Sequence, residues 1–69
     1  MKILNLYAGL GGNRLKWPDT HEITAVESDP TILQAYKAQF PNDTCVQGDA
    51  HEFLRLHHGE YGFIWSSPP

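Results

Sequence analysis

Gly9-Leu10-Gly11-Gly12 follows a short apolar run. Glycines at that point let the backbone turn sharply and approach a bulky ligand with no Cβ in the way. Glu27, eighteen residues after Gly9, ends a second apolar run; a carboxylate there can accept hydrogen bonds from both hydroxyls of an adenosine ribose. Asp49 follows a third run, where it could reach an adenine amino group while capping the next helix. Each feature has a plain alternative, namely a turn glycine, a solvated acid and a simple helix cap. Three of them at three successive run ends favour a nucleoside cofactor. A dinucleotide fingerprint wants a third glycine three residues after Gly11, where Arg14 stands, and no G-x-x-x-x-G-K-S/T phosphate loop occurs. The pattern thus suits a nucleoside without a pyrophosphate, and S-adenosylmethionine is the leading candidate.

Alternating strands and helices must position these residues. Lys2 to Tyr7 reads as a buried strand, Ala8 to Gly12 as a turn, and Asn13 to Trp17 as a short helix ended by Pro18. His21 to Val26 is a second strand, with β-branched Ile23, Thr24 and Val26. Asp29 caps the next helix and Pro30 fits its first turn, with Ile32, Ala35, Tyr36 and Phe40 on one face. Pro41-Asn42-Asp43 makes a turn before a third strand, Thr44 to Gln47. Asp49 caps a helix that turns Ala50, Phe53, Leu54 and His57 inward and stops at Gly59, and Tyr61 to Trp65 is a fourth strand. Continuous apolar strands separated by helices predict parallel pairing through right-handed crossovers. The expected class is α/β, a partial doubly wound, Rossmann-like layer of about four strands, roughly half of a typical nucleotide-binding sheet. Residues 1–69 are expected to be one truncated piece of such a domain.

Composition narrows the setting. Five Lys and Arg against eight Asp and Glu leave a net charge of −3, which is not the basic footprint of a nucleic-acid binder standing alone. The single cysteine, Cys45, permits no internal disulfide and fits a reducing, cytoplasmic compartment; it is expected to be a buried structural thiol. The apolar start, Ile3 to Leu6, is too short for a membrane span. His21, His51, His57 and His58 lack metal-ligand spacing, so no metal is expected. Ser66 and Ser67 lack the glycines of a nucleophile elbow. Arg14 and Lys16 are expected on a solvated face, and Trp17 and Trp65 in the core.

Taken together, Asn5-Leu6-Tyr7-Ala8-Gly9-Leu10-Gly11-Gly12, Val26-Glu27-Ser28-Asp29, Gly48-Asp49 and Ser67-Pro68-Pro69 resemble, in order and spacing, the DNA (cytosine-5) methyltransferases. The resemblance covers essentially the whole chain, as the first four motif regions of that family's catalytic domain. It implies that Tyr7, Ala8, Gly9, Leu10, Gly11 and Gly12 line the methionine end of S-adenosylmethionine. Glu27 would hold the ribose hydroxyls, with Ser28 beside it, and Asp49 the adenine amine, with Ala50 adjacent. Pro69 would begin the loop that presents the catalytic cysteine, which in the family follows the double proline. Asn5 stands where the family often has aspartate, and Ser28 where it often has a bulky residue.

The family's chemistry adds a thiolate to carbon 6 of a flipped cytosine, so that carbon 5 can attack the sulfonium methyl. That nucleophile is not among these 69 residues, and neither are the later strands or the region that reads double-stranded DNA; the fragment is expected to be inactive alone. The resemblance implies DNA methylation in a bacterial or phage-like, restriction-modification setting. Ser67-Pro68-Pro69 also suits a methyltransferase for an exocyclic amine of cytosine or adenine. A non-catalytic remnant is the alternative outside enzymes, and a nicotinamide oxidoreductase a more distant one.

Overall fold

The computed structural model describes residues 1–7, 14–18 and 20–66, without the side chain of Lys16. The expected turn at Ala8–Gly12 and the Ser67-Pro68-Pro69 element lie outside the described residues. Among the described residues, four strands form one sheet: β1 (Lys2–Leu6), β2 (Glu22–Glu27), β3 (Thr44–Gln47) and β4 (Phe63–Ser66). Two α-helices connect them, α1 (Pro30–Gln39) between β2 and β3, and α2 (Ala50–His57) between β3 and β4. The strand order is β3-β2-β1-β4, and every pairing is parallel. The fold is the expected α/β, Rossmann-like layer.

The register explains why both sheet faces are apolar. Leu4 lies beside Thr24 and Leu6 beside Val26, while Ile3 lies beside Ile23 and Asn5 beside Ala25. Successive side chains point to opposite faces, so each strand must fill two cores. On one face Leu4, Leu6, Val26 and Ala50 are buried together, with Tyr7, Val46, Phe53, Leu54 and Tyr61 packed around them; this is the α2 side. On the other face Ala25 and the fully buried Tyr36 are covered by Phe40 and Cys45; this is the α1 side. One helix on each face is the doubly wound arrangement.

Both helices start as their caps dictate. The Asp29 carboxylate accepts from the Thr31 and Ile32 amides, and Pro30 occupies the first turn, where a missing N–H costs nothing. Asp49 accepts from the Glu52 amide at 3.0 Å. The buried face of α1 differs from expectation in one place: Ala35 is exposed, and Leu33 is half-buried with Ile32. Asn13–Trp17 is not an α-helix where it is described, since Arg14–Lys16 is a single 3-10 turn. Gly59 lies within a second 3-10 turn, His58–Glu60, that extends the end of α2.

Candidate functional site

In a parallel sheet all strands end at the same edge, so the sequence positions that looked chemical are brought together by topology. Leu6 pairs with Val26 and with Ser66, and Glu27 pairs with Gln47. Tyr7, Glu27, Ser28, Gly48 and Asp49 therefore stand on one rim. The Gly48 amide donates to the Glu27 carbonyl at 3.1 Å, which ties the end of β3 to the end of β2. The chain crosses from β3 over to the far side of β1, and β1 and β4 flank the point where strand order reverses. Open α/β sheets bind their ligands at such a point.

Tyr7 leaves β1 with φ of 55°, in the left-handed region that a bulky residue rarely adopts. A residue held there costs about 1 kcal/mol or more, and such strain gathers at ligand-binding turns. Packing of the half-buried ring against the Leu4, Leu6, Val26 and Ala50 cluster offsets it. Tyr7, Leu6, Ala50, His51, Leu54 and Ser66 line a concavity of about 250 Å³ at the reversal point. A larger, open hollow of about 830 Å³ lies along the exposed side of α2. The smaller one is the better binding candidate, because it combines apolar walls with the sheet's carboxyl edge.

Glu27 is half-buried, and its Oε2 accepts from the Asp29 amide at 3.0 Å, which fixes the carboxylate at the strand end. Ser28 is exposed in the bend that follows. Asp49 is exposed and uses Oδ1 as the cap of α2; Oδ2 has no partner among the described residues. Ala50 is buried under β1 and β2 as the first residue of α2. Of the expected ligand residues, Tyr7, Glu27, Ser28, Asp49 and Ala50 thus lie along one edge, while Ala8, Gly9, Leu10, Gly11, Gly12 and Pro69 are outside the described residues.

One buried polar cluster, on the α1 side of the sheet, was missed by inspection of the sequence. Arg14 is not on a solvated face: its side chain is 4% exposed and paired with Asp43, itself 5% exposed, with Nε 2.7 Å from Oδ2. Nη2 reaches Oδ1 at 3.3 Å, and Nη1 donates to the Trp17 carbonyl at 2.8 Å. The guanidinium lies over the Phe40 ring, 4.8 Å from its centroid. Tyr36 donates its hydroxyl to Asp43 Oδ2 at 2.6 Å. Burial first, and then that hydrogen bond, push the Tyr36 phenol well above its ordinary value, against weaker opposing effects of Asn5 and Arg14.

The remaining candidates are structural. Cys45 packs under α1, and burial followed by the Asp43 charge raises its thiol, so it has none of the activation a nucleophile needs. Trp17 and Trp65 are half-buried against each other, edge to face at 6.1 Å. His57 stacks near Phe53 and bonds Glu60. Among the described residues, no three His, Cys, Asp or Glu side chains gather as metal ligands, and no helix is long and apolar enough to cross a membrane.

No family model matches the chain, and no curated protein matches its sequence. Solved structures do share its fold. A SAM-dependent methyltransferase from Agrobacterium tumefaciens matches 100% of this chain with a TM-score of 0.82 at 22% identity, over 26% of its own length. A TehB-like SAM-dependent methyltransferase from Corynebacterium glutamicum matches 97% with a TM-score of 0.68 at 26% identity, over 36% of its length. The chain therefore has the fold seen in part of these methyltransferases and spans between 26% and 36% of their length.

Proposed function

We propose that this chain binds S-adenosylmethionine along the carboxyl edge of its sheet and forms the cofactor-binding part of a DNA (cytosine-5) methyltransferase, with residues 1–69 as the start of its catalytic domain. The observation that carries the proposal is the shared edge: a half-buried carboxylate on β2, a capping aspartate with a spare oxygen after β3, and a strained tyrosine after β1, beside an apolar concavity at the reversal point. This donor set fits an adenosyl group. Glu27 offers acceptors for two vicinal hydroxyls, Asp49 Oδ2 accepts from an amine, and Ala50 and Leu54 provide an apolar wall. No phosphate cradle is required, in keeping with Arg14 standing where a dinucleotide site has glycine.

When bound, S-adenosylmethionine supplies an electrophilic methyl group. The chain's own part is to hold and orient: Glu27 the ribose, Asp49 and Ala50 the adenine with Ser28 alongside, and Tyr7, Ala8, Gly9, Leu10, Gly11 and Gly12 the methionine end. Pro69 would lead toward the target base. Support for methyl transfer comes from the fold shared with SAM-dependent methyltransferases. Support for cytosine carbon 5 in DNA comes from the resemblance of the Tyr-Ala-Gly-Leu-Gly-Gly element, since Ser-Pro-Pro suits both reactions.

Calorimetric titration tests the cofactor. The chain is expected to bind S-adenosylmethionine saturably and NAD not at all, with Glu27→Ala weakening the former at least tenfold. Absence of saturable heat, or preference for NAD, overturns the proposal. The codon after that of Pro69 tests the chemistry: cysteine supports the covalent route at carbon 5, and an aromatic residue would move the reaction to an exocyclic amine.

A further inference from the structure

Two hollows adjoin α2. Asp49, Glu52, Arg55 and His58 line the larger, open one, and Leu6, Tyr7, Ala50 and Ser66 the smaller one at the reversal point. Among the described residues, only His51 and Leu54 line both. Three residues apart on one face of the helix, they form the ridge between the two spaces. That division splits the donor set. Asp49, whose Oδ2 is the acceptor proposed for an amine, opens on the larger hollow, whereas Tyr7 and Ser66 open on the smaller. A ligand that uses both must cross the ridge.

The two ridge residues offer different surfaces. Leu54 is half-buried and packs against the Leu4, Leu6, Val26 and Ala50 cluster, which fixes it as an apolar floor. His51 is exposed, and its ring has no hydrogen bond or ion pair among the described residues. Its neighbours along α2 are engaged already, Arg55 with Glu52 and His57 with Glu60. An unengaged imidazole beside an aliphatic floor suits a flat heteroaromatic ring, because nucleobases stack on such side chains.

We propose that His51 is a binding residue for the adenine of the nucleoside: its imidazole and Leu54 together carry one face of the base, with Asp49 Oδ2 at the amino edge. This rests on the proposed binding of S-adenosylmethionine and adds to it a contact that no sequence motif marks. The contact is to the base alone, so it serves S-adenosylmethionine and 5′-methylthioadenosine, which lacks the amino-acid end, equally.

Both ligands are titrated calorimetrically into wild type, His51→Ala, His51→Phe and His58→Ala; His58 lines the larger hollow only. Both are expected to bind about fivefold or more weakly to His51→Ala, the worth of one base–aromatic stack, and within about twofold of wild type to the other two variants. In wild type, the His51 ring carbon–proton resonances, identified by their absence from the spectrum of either position-51 variant, are expected to shift as methylthioadenosine is added. Unchanged affinity in His51→Ala overturns the inference and leaves the cofactor proposal standing. Equal weakening in His58→Ala, or no rescue by His51→Phe, also overturns it, as do ring resonances that stay in place, because the effect is then not a stacking contact. A wild type that binds neither ligand overturns the cofactor proposal itself, and this inference with it.

Discussion

Replacing Asp43 by alanine should remove a large share of the fold's stability, even though Asp43 sits in a turn between helix and strand. Three donors converge on its carboxylate: Arg14 Nε at 2.7 Å, Arg14 Nη2 at 3.3 Å and the Tyr36 hydroxyl at 2.6 Å. Removing one member of a buried ion pair costs about 3–5 kcal/mol, because the remaining charge stays in a poorly solvating site. The Tyr36 hydroxyl loses its acceptor as well, worth about 1 kcal/mol more. A chain of 69 residues has a total stability of roughly 3–10 kcal/mol at typical values per residue. Asp43→Ala is therefore expected to sit at or near the folding threshold. In urea, with a dependence of about 1 kcal/mol per molar, the midpoint should fall by about 4–6 M or vanish. The double replacement Arg14→Met with Asp43→Leu should recover most of the loss, since an apolar pair of similar volume carries no desolvation penalty. Far-ultraviolet circular dichroism against urea measures all three proteins. A loss below about 1 kcal/mol for Asp43→Ala would refute the reasoning, because that is the worth of an exposed ion pair rather than a buried one.

Two further expectations follow from the same face of the sheet. The raised Tyr36 phenol makes the folded form hold its proton more tightly than the unfolded chain does, so its contribution is complete below about pH 10 and is lost as pH rises from there toward the folded value, by up to about 1.4 kcal/mol per pH unit. Denaturation midpoints measured from pH 7 to 11 should decline at the alkaline end, and less steeply in Tyr36→Phe; equal slopes would contradict the assignment. Cys45, raised by burial and by Asp43, should react slowly with an aromatic disulfide at pH 8 and quickly once urea unfolds the chain. Rapid stoichiometric labelling of the folded protein would show that the thiol is open.

Local signals in the sequence were enough to place most of the elements and most of the rim. Asp29-Pro30 and Asp49 mark helix starts by side-chain chemistry that acts over three residues, and β2 ends at Glu27 and β3 at Gln47, close to where the apolar runs end. The exposed Ala35 shows the limit of that approach, because a small apolar residue fits either face of a helix and only packing chooses. Arg14 shows it more strongly. Its partner Asp43 is distant in sequence, and nothing near either residue marks the pair: an arginine next to a leucine reads as surface, and an aspartate after Pro-Asn reads as a turn. The buried tyrosine on α1 was legible from periodicity, but not the bond from its hydroxyl to the turn. Tyr7 was singled out by resemblance alone, yet its left-handed backbone depends on where β1 must stop.

The strand order also has a consequence for how the chain reaches this state. Of the four described strands β1 is made first and is an inner one, pairing with β2 near residue 22 and with β4 only from residue 63. Ile3 meets Phe63 across some sixty residues, whereas the β1–β2 and β2–β3 ladders close over about twenty. Closing the longer loop adds only about 1 kcal/mol of entropy, but it cannot begin until β4 exists. At about 5–20 residues per second, one flank of β1 stays without a neighbour for several seconds of synthesis. The order of emergence thus makes β3-β2-β1 the earlier assembly, and β4, with Ser66 and the reversal point beside it, the later addition to it.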